Sequence, residues 1–161
     1  MLKWFGLSAI VIVLDQLTKH WVMQAFTLHE VKEITSFFNM LLVFNKGAAF
    51  SLLADAGGWQ RALFIGIAIT ASVWIGWLLR RHSHDRVFCL ALALILGGAL
   101  GNVIDRITMG AVVDFLDFHA GGWHWPAFNV ADIGISCGAV LLVFDALRSK
   151  PRETPPSAKS A

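Results

Sequence analysis

Gly101-Asn102-Val103-Ile104-Asp105-Arg106 opens the stretch that decides this chain's fold, Val113-Asp114-Phe115 lies in its middle, and Phe128-Asn129-Val130-Ala131-Asp132 closes it. Apolar runs long enough to cross a bilayer flank it on both sides. Polar groups at the edge of hydrocarbon are costly to desolvate and are seldom placed there without a use. Asp114 and Asp132 are each flanked by apolar neighbours, one just after a predicted span and one just inside the next.

The 161 residues are 57% apolar and 15% charged, with a mean hydropathy of +0.64. Soluble domains carry about 25% charged residues, so this composition belongs to the membrane class. The length allows one domain with about four spanning helices of roughly 20 apolar residues each. A net charge of +2 with no basic patch gives no reason to expect a nucleic-acid partner. Cys89 and Cys137 fall inside predicted spans without C-x-x-C spacing and read as small core residues. His82 and His84 sit in a basic loop. His119 and His124 lack a ligand motif such as H-E-x-x-H, so all four read as solvated or interfacial, and no metal or cofactor is expected.

Working outward, Lys3 precedes an apolar run interrupted by Asp15, Gln16, Thr18 and Lys19. A signal peptide would begin similarly, but no A-x-A-like site follows, so a first span is expected over about 4–26. Asp15 and Lys19 stand at i, i+4 on one helix face. They either fix helix packing as an ion pair or support a site. The stretch Leu28–Gly58 is too polar to span; its pieces Ile34–Phe38 and Met40–Phe44 are strand-prone and predict a small sheet or hairpin on the membrane surface. Gly47-Ala48-Ala49-Phe50 is either a turn or a close backbone approach. Further spans are expected over about 59–79, 87–106 and 130–147, the third with Gly97, Gly98 and Gly101 as a packing face. Residues 1–150 are expected to form one membrane-embedded domain, and 151–161, rich in proline, serine and charge, a disordered cytoplasmic tail.

Lys3, the Arg80–Arg86 connector and the Arg148, Lys150, Arg152 cluster fall on one side if four helices cross, and the positive-inside rule makes that side cytoplasmic. Depth then follows from the 1.5 Å rise per residue. From Lys3, Asp15 lies about 18 Å and Lys19 about 24 Å along; from Arg86, Asn102 lies about 24 Å and Arg106 about 30 Å along. Asp132 lies about 4–5 Å inside the outer end of the last span. Residues from three helices thus converge on the outer boundary of the bilayer.

The chemistry expected there is hydrolytic. Two carboxylates close together in a poorly solvated site cannot both ionise and share a proton. The ionised member can take a proton from water while the protonated one polarises a peptide carbonyl. Arg106, Asn102 and Asn129 are candidates to orient the carboxylates or to hold substrate carbonyls. A transporter using aspartates as proton relays would spread polar groups through the midplane, where this chain is nearly uncharged. A scaffold whose aspartates merely pair with Arg106 and Lys19 is a third reading. The presenilin type of aspartic protease is disfavoured because its Gly-x-Gly-Asp motif is absent.

These residues resemble the bacterial lipoprotein signal peptidases (signal peptidase II). The resemblance rests on Asp15–Lys19, Asn45–Phe50, Gly97–Arg106, Val113–Phe115 and Phe128–Asp132, in that order. It implies a mainly α, integral membrane fold: four transmembrane helices, a small periplasmic β-cradle after the first, and a mobile amphipathic segment after the cradle's strands. It implies removal of the signal peptide from diacylglyceryl-modified prolipoproteins just before the lipidated cysteine, at the outer face of the cytoplasmic (inner) membrane. Asp114 and Asp132 match the family's catalytic aspartates. Asp15, Lys19, Asn45, Gly47, Gly98, Asn102, Arg106 and Asn129 match residues that line or support its cleft. The resemblance further implies no metal, binding of globomycin at the aspartates, and membrane lipid as the surrounding partner; a monomer is expected.

Overall fold

The computed structural model describes residues 1–47 and 57–148, as four helices and a small sheet. The helices are α1 (Leu2–Ala25), α2 (Trp59–Arg81), α3 (Arg86–Thr108) and α4 (Val130–Arg148); the strands are β1 (Val31–Thr35), β2 (Phe38–Asn45), β3 (Val112–Ala120) and β4 (Trp123–His124). The expected tail at 151–161, and Ala48–Phe50 with the segment after the cradle's strands up to residue 56, lie outside the described residues.

Helices α2, α3 and α4 are long and apolar enough to cross a membrane. α1 has 24 residues, but Asp15, Gln16, Thr18, Lys19 and His20 lower its apolarity, so it does not join the other three on composition. Asp15 and Lys19 lie on one side of it, while His20 and Gln24 are exposed. The buried residues Ser8, Val11, Asp15, Lys19 and Val22 recur every three or four positions and form one inward stripe. Ile10, Val13, Leu14, Leu17 and Trp21 are exposed on the rest of the surface.

α3 is the central helix: 56% of its apolar stretch is buried, against 11% for α2 and 17% for α4. It starts where the Asp85 carboxylate accepts the Phe88 N–H at 3.1 Å, an N-cap. Its glycines let two neighbours approach closely. A Cβ on Gly97 would stand 2.7 Å from Val11 Cβ of α1, and one on Gly98 would overlap the Ala131 carbonyl of α4. Small residues at such crossings allow van der Waals contact between backbones where lipid supplies no hydrophobic drive. Cys89 is buried in this core, whereas Cys137 is exposed, contrary to the core expectation: it lies on a side of α4 that nothing covers among the described residues.

The sheet is antiparallel in the order β1-β2-β3-β4. β2 covers the piece read as strand-prone at Met40–Phe44, whereas β1 lies earlier, at Val31–Thr35, and residues 36–37 of the other piece, Ile34–Phe38, form the turn between them. β3 and β4 lie in a connection for which the sequence predicted no strand. In β2 the register shifts between Met40, paired with Leu116, and Val43, paired with Asp114: three steps on β2 match two on β3, which is a bulge. Beyond it Asn45 pairs with Val112, so its side chain shares a sheet face with Asp114, two residues along. Val113 and Phe115, on the opposite face, pack with Val22 of α1 and Leu42 of β2.

Gly98→Ala is expected to destabilise the fold by about 1–3 kcal/mol, because the methyl meets backbone and the helices must part. Gly66→Ala, with nothing within 4 Å of the added carbon, is expected to be neutral. Thermal unfolding in detergent followed by circular dichroism distinguishes them.

Candidate active site

Two connected clusters occupy the level where α1, α3, the start of α4 and β3 meet. The first surrounds Lys19. Its ammonium lies 2.8 Å from Asp15 Oδ2 and 2.7 Å from Asp105 Oδ2, and donates to Asn102 Oδ1 at 3.0 Å. An ammonium has three donors and all three are used. Lys19, Asp15 and Asp105 are each at most 1% exposed. The carboxylates are satisfied in turn. Asp15 Oδ1 accepts the Ala131 N–H at 2.8 Å, which ties α1 to the first turn of α4. Asp105 Oδ2 accepts the Val113 N–H at 3.2 Å and its Oδ1 the Gln16 amide at 2.8 Å.

The second cluster holds Asp114 and Asp132. Asn129 is the residue before α4, and Asp132 lies three further on. The Asp132 N–H donates to Asn129 Oδ1 at 3.0 Å, and the Asn129 N–H to Asp132 Oδ2 at 3.3 Å, a reciprocal cap that fixes both side chains. The main chain just before it is held against β3, since Phe128 exchanges hydrogen bonds with Leu116. Asn129 Nδ2 donates to Asp114 Oδ1 at 2.7 Å, and Asn45 Nδ2 to Asp114 Oδ2 at 3.1 Å. Asn102 Nδ2 donates to Asp132 Oδ1 at 2.8 Å. Asn102 thus touches both clusters, accepting from Lys19 and giving to Asp132.

Asp114 is 2% exposed. Burial, and next the negative charge of Asp132, push its carboxyl from the usual range up to about 7, against the opposing hydrogen bonds from Asn45 and Asn129. Lys19 is spent on Asp15 and Asp105, and among the described residues Arg106 is ion-paired to neither Asp114 nor Asp132. Its guanidinium instead donates to the Gly47 carbonyl at 3.0 Å and sits 5.1 Å from the Phe64 ring centre. Gly47 is fixed from the other side as well, its N–H donating to Asn45 Oδ1 at 2.9 Å.

All ten site residues named from the sequence fall into this region. Asp114, Asp132, Asn45, Asn102 and Asn129 meet directly. Asp15 and Lys19 form the support beneath Asn102. Gly98 serves the α3–α4 contact, and Gly47 receives Arg106. As to the alternatives left open for Asp15 and Lys19, the pair joins α1 to α3 and α4 and also touches Asn102.

Sequence reasoning gave Asp105 and Gln16 no role. Donor counting would have found Asp105: a buried ammonium needs three acceptors, Asp15 supplies one, and Asp105 lies one turn beyond Gly101 and Asn102 on α3. His119 is half-buried and His124 exposed. Asp117, His119 and His124 lie together, with ligand atoms within 4.8 Å of one another. The turn at Gly121-Gly122 brings His124 back onto His119, a proximity that linear spacing conceals.

A profile of the family described as Signal peptidase (SPase) II matches residues 7–148. The lipoprotein signal peptidase of Ralstonia nicotianae is 62% identical over 145 residues, covering 90% of this chain and 84% of the relative. That of Janthinobacterium sp. (strain Marseille) is 56% identical over 148 residues, covering 92% and 90%. A solved structure described as a bacterial membrane enzyme, at 2.3 Å resolution, aligns with a TM-score of 0.84 at 27% identity, covering 96% of both chains.

Lys19→Met is expected to leave Asp15 and Asp105 buried without their cation and to cost about 3–5 kcal/mol. Thermal unfolding in detergent reads this as a large fall in Tm; a Tm within a degree or two of wild type contradicts the support role.

Proposed function

The chain belongs to the signal peptidase II family and is a peptidase, and from that premise we propose that it removes signal peptides from diacylglyceryl-modified prolipoproteins, cutting just before the lipidated cysteine. Asp114 and Asp132 are the catalytic pair. One observation carries this reading. Both acids are held by asparagine amides and, among the described residues, by no cation, although Lys19 is one asparagine away. A scaffold would be expected to pair such acids with a cation; here neither carries an ion pair among the described residues.

The mechanism follows from the donor set. Asn129 and Asn45 occupy one lobe on each Asp114 oxygen, and Asn102 one on Asp132 Oδ1, so the carboxylates are oriented while retaining acceptor capacity. The ionised member takes a proton from water as it attacks the scissile carbonyl. The protonated member hydrogen-bonds the carbonyl oxygen and then supplies the proton the leaving amine needs. The roles belong to the pair rather than to either residue alone. Arg106 and Gly47 set the edge of the cleft, and Gln16 and Asp105 hold its floor.

Four crossings, including α1, are the proposed topology, with both termini cytoplasmic and the aspartates at the outer face. α1 qualifies because its mid-helix charges, Asp15 and Lys19, are buried against the other elements while Ile10, Val13, Leu14, Leu17 and Trp21 face outward. Residues 1–150 act as one membrane-embedded domain, and one chain is the working unit. A diacylglyceryl group beside the scissile bond gains about 0.8 kcal/mol per buried CH₂ and holds that bond at the depth of the pair. The sheet covers the peptide from the water side, and globomycin-type inhibitors engage the same aspartates.

Purified protein incubated with a diacylated prolipoprotein is expected to release the signal peptide, read by product mass. Asp114→Asn and Asp132→Asn are each expected to lower turnover by roughly 10²–10⁴-fold or more while the protein stays folded. Near-normal turnover in either variant rejects the pair.

The pH profile carries its own expectation. Asp114 keeps its proton up to about 7, and above that the pair loses the acid it needs. The rate is expected to fall on the alkaline side with an apparent pKa near 7, measured as initial rates in a fixed detergent.

A further inference from the structure

We propose that Asp117, His119 and His124 form a binding site for one divalent transition-metal ion of the zinc type, separate from the aspartate pair. Asp117 and His119 are two residues apart on β3 and share a face, which alternation makes the face opposite to that of Asp114. His124 on β4 pairs directly with His119. The turn between them places Gly121 at φ +57° and Gly122 at φ +81°, the left-handed pair that a two-residue hairpin requires. That turn stacks the two imidazoles with ring centres 5.0 Å apart.

The donor atoms of the three residues lie within 4.8 Å of one another. Bonds of about 2.0–2.1 Å in a tetrahedral zinc site put donors roughly 3.3 Å apart, so small side-chain rotations close the gap. Two imidazoles and one carboxylate, with water in the fourth position, are a donor set that zinc accepts.

Three features go beyond proximity. Asp117 is buried, at 4% exposed, and is fixed by the Asn39 amide, which donates to its Oδ2 at 2.9 Å. Supporting hydrogen bonds of this kind orient metal-ligating carboxylates. His119 Nδ1 is buried and has no hydrogen-bond partner among the described residues, and a metal bond at that nitrogen would satisfy it. His124 is exposed and its Nδ1 lies 2.9 Å from Asp117 Oδ2, so an ion can enter from solvent and replace that hydrogen bond. The bound ion would pin β4, with Trp123 beside it, to β3.

The test uses tag-free, full-length protein in detergent, stripped with chelator and titrated with Zn²⁺ against a chromophoric competitor, with Co²⁺ absorption as a second probe. One equivalent of saturable binding is expected. His119→Ala and His124→Ala are each expected to abolish it. Asn39→Leu, which keeps all three ligands, is expected to weaken it by roughly 10–100-fold. His82→Ala/His84→Ala is expected to leave it unchanged, and circular dichroism confirms that each variant is folded. Absence of saturable binding in the wild-type protein overturns the proposal. So does binding that survives His124→Ala, or binding lost in the His82→Ala/His84→Ala protein.

Discussion

The ammonium of Lys19 is the constraint on which the rest depends. Removing it from water costs several kcal/mol, and only complete pairing with good geometry offsets that. Its three acceptors come from α1 itself and twice from α3. The two carboxylates then reach further, Asp15 to the Ala131 N–H at the start of α4 and Asp105 to the Val113 N–H at the start of β3. One cation thereby fixes the mutual position of every element that contributes to the aspartate pair except β2. β2 is added through the Asn45 amide and by pairing with β3.

Charge and neutrality are divided by a layer of amides. On the Lys19 side the acids are matched by a cation; on the other side Asp114 and Asp132 meet asparagines. Asn102 stands at the boundary, with its oxygen toward Lys19 and its nitrogen toward Asp132. An amide transmits orientation without transferring charge, so Asp132 is aligned by a network anchored on a cation it does not touch. Asparagine suits the position because it offers donor and acceptor at once. Aspartate there would bring another buried charge, and leucine would take one acceptor from Lys19 and the amide donor from Asp132 Oδ1.

Much of this was legible in the sequence because it is local or periodic. Helix ends fell within a few residues of the apolar runs, and Asp15 and Lys19 declared their shared face by spacing alone. The depth argument brought Asn102 and Asp132 to one level because a helix has a fixed rise. β3 escaped notice because both faces of Val112–Asp117 are largely buried, which blurs alternation, and because its partner lies far back in the chain. The bulge in β2, which sets Asn45 on the face of Asp114, has no sequence signal of its own. α1 is the instructive case: composition counts its charges against it, whereas structure turns those charges inward.

The separations spanned by these contacts bear on how the protein is made. Lys19 waits 83 residues for Asn102, Asn45 waits 69 for Asp114, and Asp15 waits 116 for Ala131. The chain leaves the ribosome from its first residue onward, so α1 exists before any of its distant partners. Until α3 follows, Lys19 has only Asp15 for company. Asp114 lacks Asn129, and Asp132 its cap, until the last helix begins. The proposed hydrolytic centre therefore cannot be completed before the start of α4 has been made.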